Sequence, residues 1–163
     1  LDVPEPAPAP VVAAPMKPVE GAQAGPVETA PVVAEDKILW SDFDAAVVDQ
    51  ALAMQRPVFM DYTADWCLNC KANEAAFIEV ERIRVVLGET RILPMKADMT
   101  NKQPVIEEWM KKLGRSGIPI YAIYLPGGEI DLLPEVITTD LLAEALAKAS
   151  ERFPPTAFKV ATN

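Results

Sequence analysis

Cys67 and Cys70 are the only cysteines in the 163-residue chain, they stand three apart in Asp-Trp-Cys-Leu-Asn-Cys-Lys, and the chain has no histidine. Thiols at that spacing have few jobs. A closed structural zinc site needs four ligands, usually Cys and His, and two cysteines do not supply them. An inert disulfide here would close a very short loop, where the entropic stabilisation is smallest. A soft ion such as Cu(I) between two thiolates is a third chemistry. The spacing best fits a dithiol that opens and closes a disulfide across one helical turn.

The flanking residues predict the elements that position this pair. Ser41-Asp42-Phe43-Asp44 has the Ser-x-x-acid form of a capping box. Val47, Val48, Ala51 and Leu52 follow at helical spacing, so a first helix should end before Arg56-Pro57. Val58 to Tyr62 reads as a short buried strand. Cys67 then falls at a strand-to-helix turn, with helix over 68–80 and Ala75, Ala76 and Phe77 offered to the core. Residues 81–88 extend or restart that helix and close at Gly88. Arg91 to Ala97 is a second strand, in which Pro94 argues for an edge or a bulge. Pro104 opens a helix with the stripe Val105, Ile106, Trp109, Met110 and Leu113, stopped by Gly114. Ile118 to Leu125, the turn Pro126-Gly127-Gly128 and Glu129 to Leu133 read as a hairpin. Thr138, Thr139 and Asp140 offer caps for a last helix with Leu141, Leu142, Ala145, Leu146 and Ala149 inward. This order predicts an α/β fold, a mixed central sheet with helices on both faces.

Composition sets the bounds. Eight of the 16 prolines lie within residues 1–34, a stretch without aromatic residues or a convincing period. Residues 1–36 are therefore expected to be a semi-stiff, extended Pro/Ala-rich linker. Residues 37–153 form the domain, and 154–163 a loose tail beginning Pro-Pro. The net charge of −9 divides into −4 over residues 1–40 and −5 over the rest, with no basic cluster. That disfavours a nucleic-acid partner. No apolar run reaches the roughly 18 residues that span a bilayer, and no basic-then-apolar signal peptide is present. The first residue is Leu1 rather than Met, so the chain is expected to be a processed or excised piece of something longer.

Several separated motifs, in order over about residues 40–150, resemble thioredoxin. They are Trp-Cys-x-x-Cys-Lys after the first core strand and Ile-Pro before the hairpin. The match is closer to the C-terminal thioredoxin-like domain of the DsbD family and its ScsB relatives. Residues 61–74 (DYTADWCLNCKANE), 97–101 (ADMTN) and 114–120 (GRSGIPI) carry it. The resemblance implies a thiol-disulfide reductase domain in the periplasm, part of a bacterial inner-membrane protein. Its electrons would come from a membrane-embedded donor domain of the same protein. They would pass to a periplasmic thiol-disulfide partner domain or protein. Family clients include disulfide isomerases and cytochrome c maturation proteins, or dedicated partners in the ScsB branch. The isolated domain would be monomeric. A copper-binding module and a free secreted thioredoxin-like protein are the alternatives.

The resemblance also assigns roles. Cys67 would be the nucleophile at the mouth of the turn, near the positive end of the helix, which favours thiolate. Cys70, deeper by one turn, would resolve the mixed disulfide. The electrons travel as a dithiol, so no cofactor and no metal are required. Asp61 matches the buried acid of thioredoxins, although a strand-end Asp is ordinarily solvated. Glu74 lies four residues after Cys70 on the same helical face, where an ordinary surface Glu is an equal expectation. Together the two acids would oppose the thiolate until a partner docks, and one would take the proton of Cys70. Pro119 would be cis, leaving the Ile118 backbone to pair with an extended partner segment. Trp66 is either core or an apolar docking rim. Tyr62, Trp109 and Tyr124 are expected in the core. Lys71 matches a common family lysine, but a solvated helix Lys explains it equally.

Overall fold

The structure, a computed structural model, describes residues 11–12 and 31–155. Most of the expected linker, and the tail from residue 156, lie outside the described residues. The strands are β1 (Val11–Val12), β2 (Val33–Ala34), β3 (Lys37–Ile38), β4 (Ser41–Asp42), β5 (Val58–Thr63), β6 (Leu93–Asp98), β7 (Ile120–Tyr124) and β8 (Glu129–Leu133). The helices are α1 (Ala45–Ala53), α2 (Leu68–Asn73), α3 (Glu81–Glu89), α4 (Pro104–Lys112) and α5 (Thr139–Arg152), with a π-helical turn at Glu74–Ile78 directly after α2.

One mixed sheet runs β1-β8-β7-β5-β6-β4. β5, β6 and β4 are parallel, while β7, β8 and β1 alternate antiparallel beyond β5. β5 is central and buried along its whole length, which is why it reads as a continuous apolar run rather than an alternating one. Helices cover both faces. α1 and α4 pack on Met60, Tyr62, Met95 and Tyr124. The π turn, α3 and α5 pack on Phe59, Tyr121 and Ile123. Tyr62, Trp109 and Tyr124 are buried.

Four local expectations are corrected. Ser41 does not cap α1. Asp44 does, accepting from the Ala46 N–H at 2.9 Å. Ser41 and Asp42 instead pair with Met95 and Lys96 of β6, and the Phe43 N–H continues onto the Lys96 carbonyl at 2.9 Å. The 68–80 helix ends with the π turn, and of the two expected continuations it is the restart that occurs: α3 begins at Glu81 and runs through Gly88 to Glu89. The wider π turn leaves Ala75 and Ala76 exposed and brings Glu74 and Ile78 inward. Val105 is exposed rather than part of the α4 stripe.

The fourth correction is the linker boundary at 36. It falls inside the hairpin of β2 and β3, closed by Val33 opposite Ile38. The apolar Val32 and Val33 pack against the α3/α5 core, and the Leu39 N–H donates to the Val32 carbonyl at 2.8 Å. Val11–Val12, also inside the expected linker, pairs with Ile130 and Glu129 on the open edge of β8.

Pro94 sits in β6 between two strands. The Leu93 N–H donates toward β5, onto the Pro57 carbonyl at 2.9 Å. The missing N–H of Pro94 therefore faces the β4 side, where β4 reaches only Met95 and Lys96. Proline is tolerated because no strand covers that position.

Candidate functional site

The site lies at the carboxyl end of β5. The chain leaves the sheet at Thr63 and turns through a Cys67 N–H to Ala64 carbonyl bond of 3.1 Å. It enters α2 with Cys67 as its first cap, the Sγ accepting from the Cys70 N–H at 3.2 Å. Cys67 and Cys70 form a disulfide with Cα atoms 5.3 Å apart, inside the normal span for such a bridge. The end of β6 braces this loop. Met99 donates its N–H to the Thr63 carbonyl (2.7 Å), and Asp65 donates its N–H to the Thr100 hydroxyl (2.8 Å). Thr100 in turn donates to Asp98, whose carboxyl this bond holds below the usual range.

The two sulfurs are not equivalent. Cys70 is 0% exposed and Cys67 7%. The opening at Cys67 is narrower than an exposed mouth, because Ala64, Met99 and Ile118 crowd the disulfide. The flanks are open instead: Trp66 is 63% and Leu68 82% exposed. The core-filling alternative for Trp66 is thus excluded. The Ile118–Pro119 peptide is cis. Pro119 is buried and Ile118 half-buried against the cysteine cluster.

Two buried acids lie on the elements that flank the disulfide, Asp61 on β5 and Glu74 in the π turn after α2. Asp61 pairs in register with Lys96 on β6 and Tyr121 on β7, and it is fully buried. Glu74, from the π turn, is buried beside it, so the ordinary surface reading of each acid is excluded. Burial pushes the Asp61 carboxyl well above the usual carboxylate range, and the charge of Glu74 adds to the rise. Neither Asp61 oxygen receives a hydrogen bond from the described residues. Lys96 Nζ stands 3.8 Å from Glu74 Oε1, and Lys71 Nζ 3.6 Å from Glu74 Oε2. Lys71 also lies 3.7 Å from the exposed Asp65. Tyr121 stands opposite Asp61 on β7, its hydroxyl accepting from Asn73 at 3.1 Å, and burial raises its pKa.

The fold thus buries Asp61 and Glu74 together, sets Glu74 one helical turn after Cys70 with its N–H on the Cys70 carbonyl, and packs Ile118 against the disulfide. Sequence reasoning misses Lys96, Met99 and Leu68. Lys96 enters only through the register of β6 against β5. Among the described residues no three His, Cys, Asp or Glu side chains gather as a metal site. No helix among them is long and apolar enough to cross a membrane.

Comparison with known proteins agrees with this geometry. Thiol:disulfide interchange protein DsbD 1 of Pseudomonas aeruginosa is 30% identical over 115 residues, 66% of this chain and 19% of that protein. DsbD of Salmonella typhi is 33% identical over 84 residues, 50% of this chain and 14% of that protein. The chain therefore spans under a fifth of the length of these relatives. The C-terminal domain of Neisseria meningitidis DsbD in the reduced form superposes with a TM-score of 0.54 at 22% identity, covering 67% of this chain and 99% of that one. A thioredoxin from Thermus thermophilus gives 0.56 at 14% identity, covering 72% and 92%. At such identities these two structures speak for the fold. A family model described as thioredoxin-like matches residues 39–126. Spanning more than half of the sequence and including the cysteine pair, that match shows that the chain belongs to the thioredoxin-like family.

Proposed function

We propose that this chain is a periplasmic thiol-disulfide reductase domain. It receives electrons from a membrane-embedded donor domain of the same protein and passes them to a periplasmic partner disulfide. The asymmetry of the two sulfurs carries the reading: Cys67 keeps some exposure between the exposed Trp66 and Leu68, while Cys70 is sealed. In the reduced form, the Cys67 thiolate attacks one sulfur of the partner disulfide. A Cys67–partner bond forms and one partner thiolate leaves. Cys70 then loses its proton and attacks the Cys67 sulfur. The Cys67–Cys70 disulfide forms, and the partner departs as a dithiol, reduced by two electrons.

Asp61 and Glu74 are assigned to the proton of Cys70. A carboxylate whose proton affinity is raised by burial is a better base near neutral pH than an ordinary one. Its negative charge also disfavours thiolate formation before a partner docks. Trp66 and Ile118, with Pro119, are assigned to partner docking. The chemistry needs no flavin, haem or metal, since the dithiol carries both electrons. Similarity to DsbD supports the direction of transfer and the periplasmic setting.

The test is trapping. The reduced Cys70→Ser variant, mixed with a disulfide-bonded peptide, should accumulate a mixed disulfide through Cys67, seen by mass spectrometry. Cys67→Ser should accumulate none. Equal trapping by both variants, or by neither, contradicts the assignment of roles.

A further inference from the structure

Lys96 touches more than the acid pair. Its Nζ lies 4.9 Å from the centroid of the Trp40 ring as well as 3.8 Å from Glu74 Oε1. The indole is fixed from two other directions. Its Nε1–H donates to Glu79 Oε1 at 2.7 Å, and its ring packs on Phe59 at 5.8 Å between centroids. Glu79 Oε2 accepts from the Ile38 N–H at 3.2 Å, which ties in the β2–β3 hairpin. Glu79 also closes the π turn, its own N–H donating to the Glu74 carbonyl at 2.7 Å. The contacts form a ring: Glu74, the π turn, Glu79, Trp40, Lys96 and back to Glu74.

We propose that Trp40, clamped by Glu79, is a positioning residue that holds the Lys96 ammonium against Glu74 and so sets the pH at which the buried acid pair takes up a proton. The inference rests on the proposed role of that pair and deepens it. A lysine side chain with water in reach spreads over many rotamers. An aromatic face attracts the ammonium electrostatically and narrows that spread toward Glu74. The indole cannot turn away, because its donor is tied to Glu79. The remaining groups facing the acid pair are Lys71 from α2 and Tyr121 from β7, with Cys70 one helical turn before Glu74. Asp98, farther along β6, faces Lys71 and Lys96. Lys71 keeps one cation on Glu74 whatever happens to Lys96, so loss of the clamp weakens the control without abolishing it.

The readout is the carboxyl carbon NMR titration of Asp61 and Glu74 in the full 163-residue chain. Trp40→Leu should move the acid-pair midpoint upward by about half a unit, the size of one cation–π contact. Glu79→Gln should move it in the same direction by less, and Trp40→Phe should recover part of the loss. Lys96→Met should raise the midpoint at least as far as Trp40→Leu, and adding Trp40→Leu to Lys96→Met should change nothing more. A folded Trp40→Leu protein with an unmoved midpoint overturns the proposal, as does full additivity with Lys96→Met. If Trp40→Leu does not fold, Glu79→Gln decides: an unmoved midpoint overturns the clamp. The titration reads the clamp without any redox reaction. Unchanged thiol exchange despite a moved midpoint would count against the proton role of the acids, not against the clamp.

Discussion

Asp61 and Tyr62 are neighbours on β5 and point to opposite faces of the same sheet, each fully buried. Tyr62 meets Tyr124, hydroxyl to hydroxyl at 2.5 Å. Burial raises both hydroxyl pKa values, that of Tyr124 to about 12, so the pair stays neutral. Asp61 meets another acid, and its oxygens receive no hydrogen bond from the described residues. One pair is satisfied and serves packing. The other is buried at a cost. A buried polar group with its partner in place explains itself through stability. One left short, on the strand that leads into the cysteine turn, calls for a chemical explanation.

Substitutions on the two faces should separate these roles. The largest effect is expected from Asp61→Asn combined with Glu74→Gln. Exchange with a disulfide substrate at pH 7 should slow by about 10², checked by stopped-flow tryptophan fluorescence. Stability should move the other way. The folded pKa of Asp61 lies above its unfolded value, so the native state holds a proton that the unfolded chain has lost. Its contribution therefore declines as pH rises from about 4 through the raised folded pKa. Denaturant melts across that window should show stability falling with pH in the parent and a flatter profile in Asp61→Asn.

Trp66→Ala should come next. Reduction of a protein partner should weaken by roughly tenfold, the scale of a lost aromatic anchor. Exchange with a small disulfide and the melting temperature should stay nearly unchanged, because the indole is already exposed. The smallest effect on rate belongs to the opposite face. Tyr62→Phe should lower stability by about 1–3 kcal/mol, since the Tyr124 hydroxyl is left buried without its partner. The exchange rate should not change. The double change with Tyr124→Phe should recover part of the loss.

The difference between the faces also governs what the sequence reveals. The hairpin is announced by Pro126-Gly127-Gly128, with positive φ at both glycines. The last helix is announced by Thr138, which caps it through the Leu141 N–H. The disulfide follows from spacing within one helical turn. These features are local. Lys96 is not, because nothing within Leu93–Asp98 says which strand it lies beside or which acid it meets. Ser41 carries a sound cap signal that loses to strand pairing with β6. The π turn is equally hidden: its sequence is ordinary helix former, and the outward turn of Ala75 and Ala76 reflects how Glu74 and Ile78 are drawn into the core. Trp66 and Trp109 illustrate the same limit. Residue type is identical, yet Trp66 is exposed and Trp109 is buried on the inner face of α4.

The central claim is that Cys67–Cys70 is a reversible two-electron couple rather than an inert staple or a metal clasp. The direct measurement is equilibration of the full chain in graded thiol-disulfide buffers, with the fraction oxidised read by alkylation and mass. The account predicts one complete, reversible transition with a slope of about 30 mV per tenfold change in ratio, the signature of two electrons, and an equal midpoint from either direction. A pair that stays oxidised in every buffer, or is held reduced only by a stoichiometric soft metal ion, would contradict it.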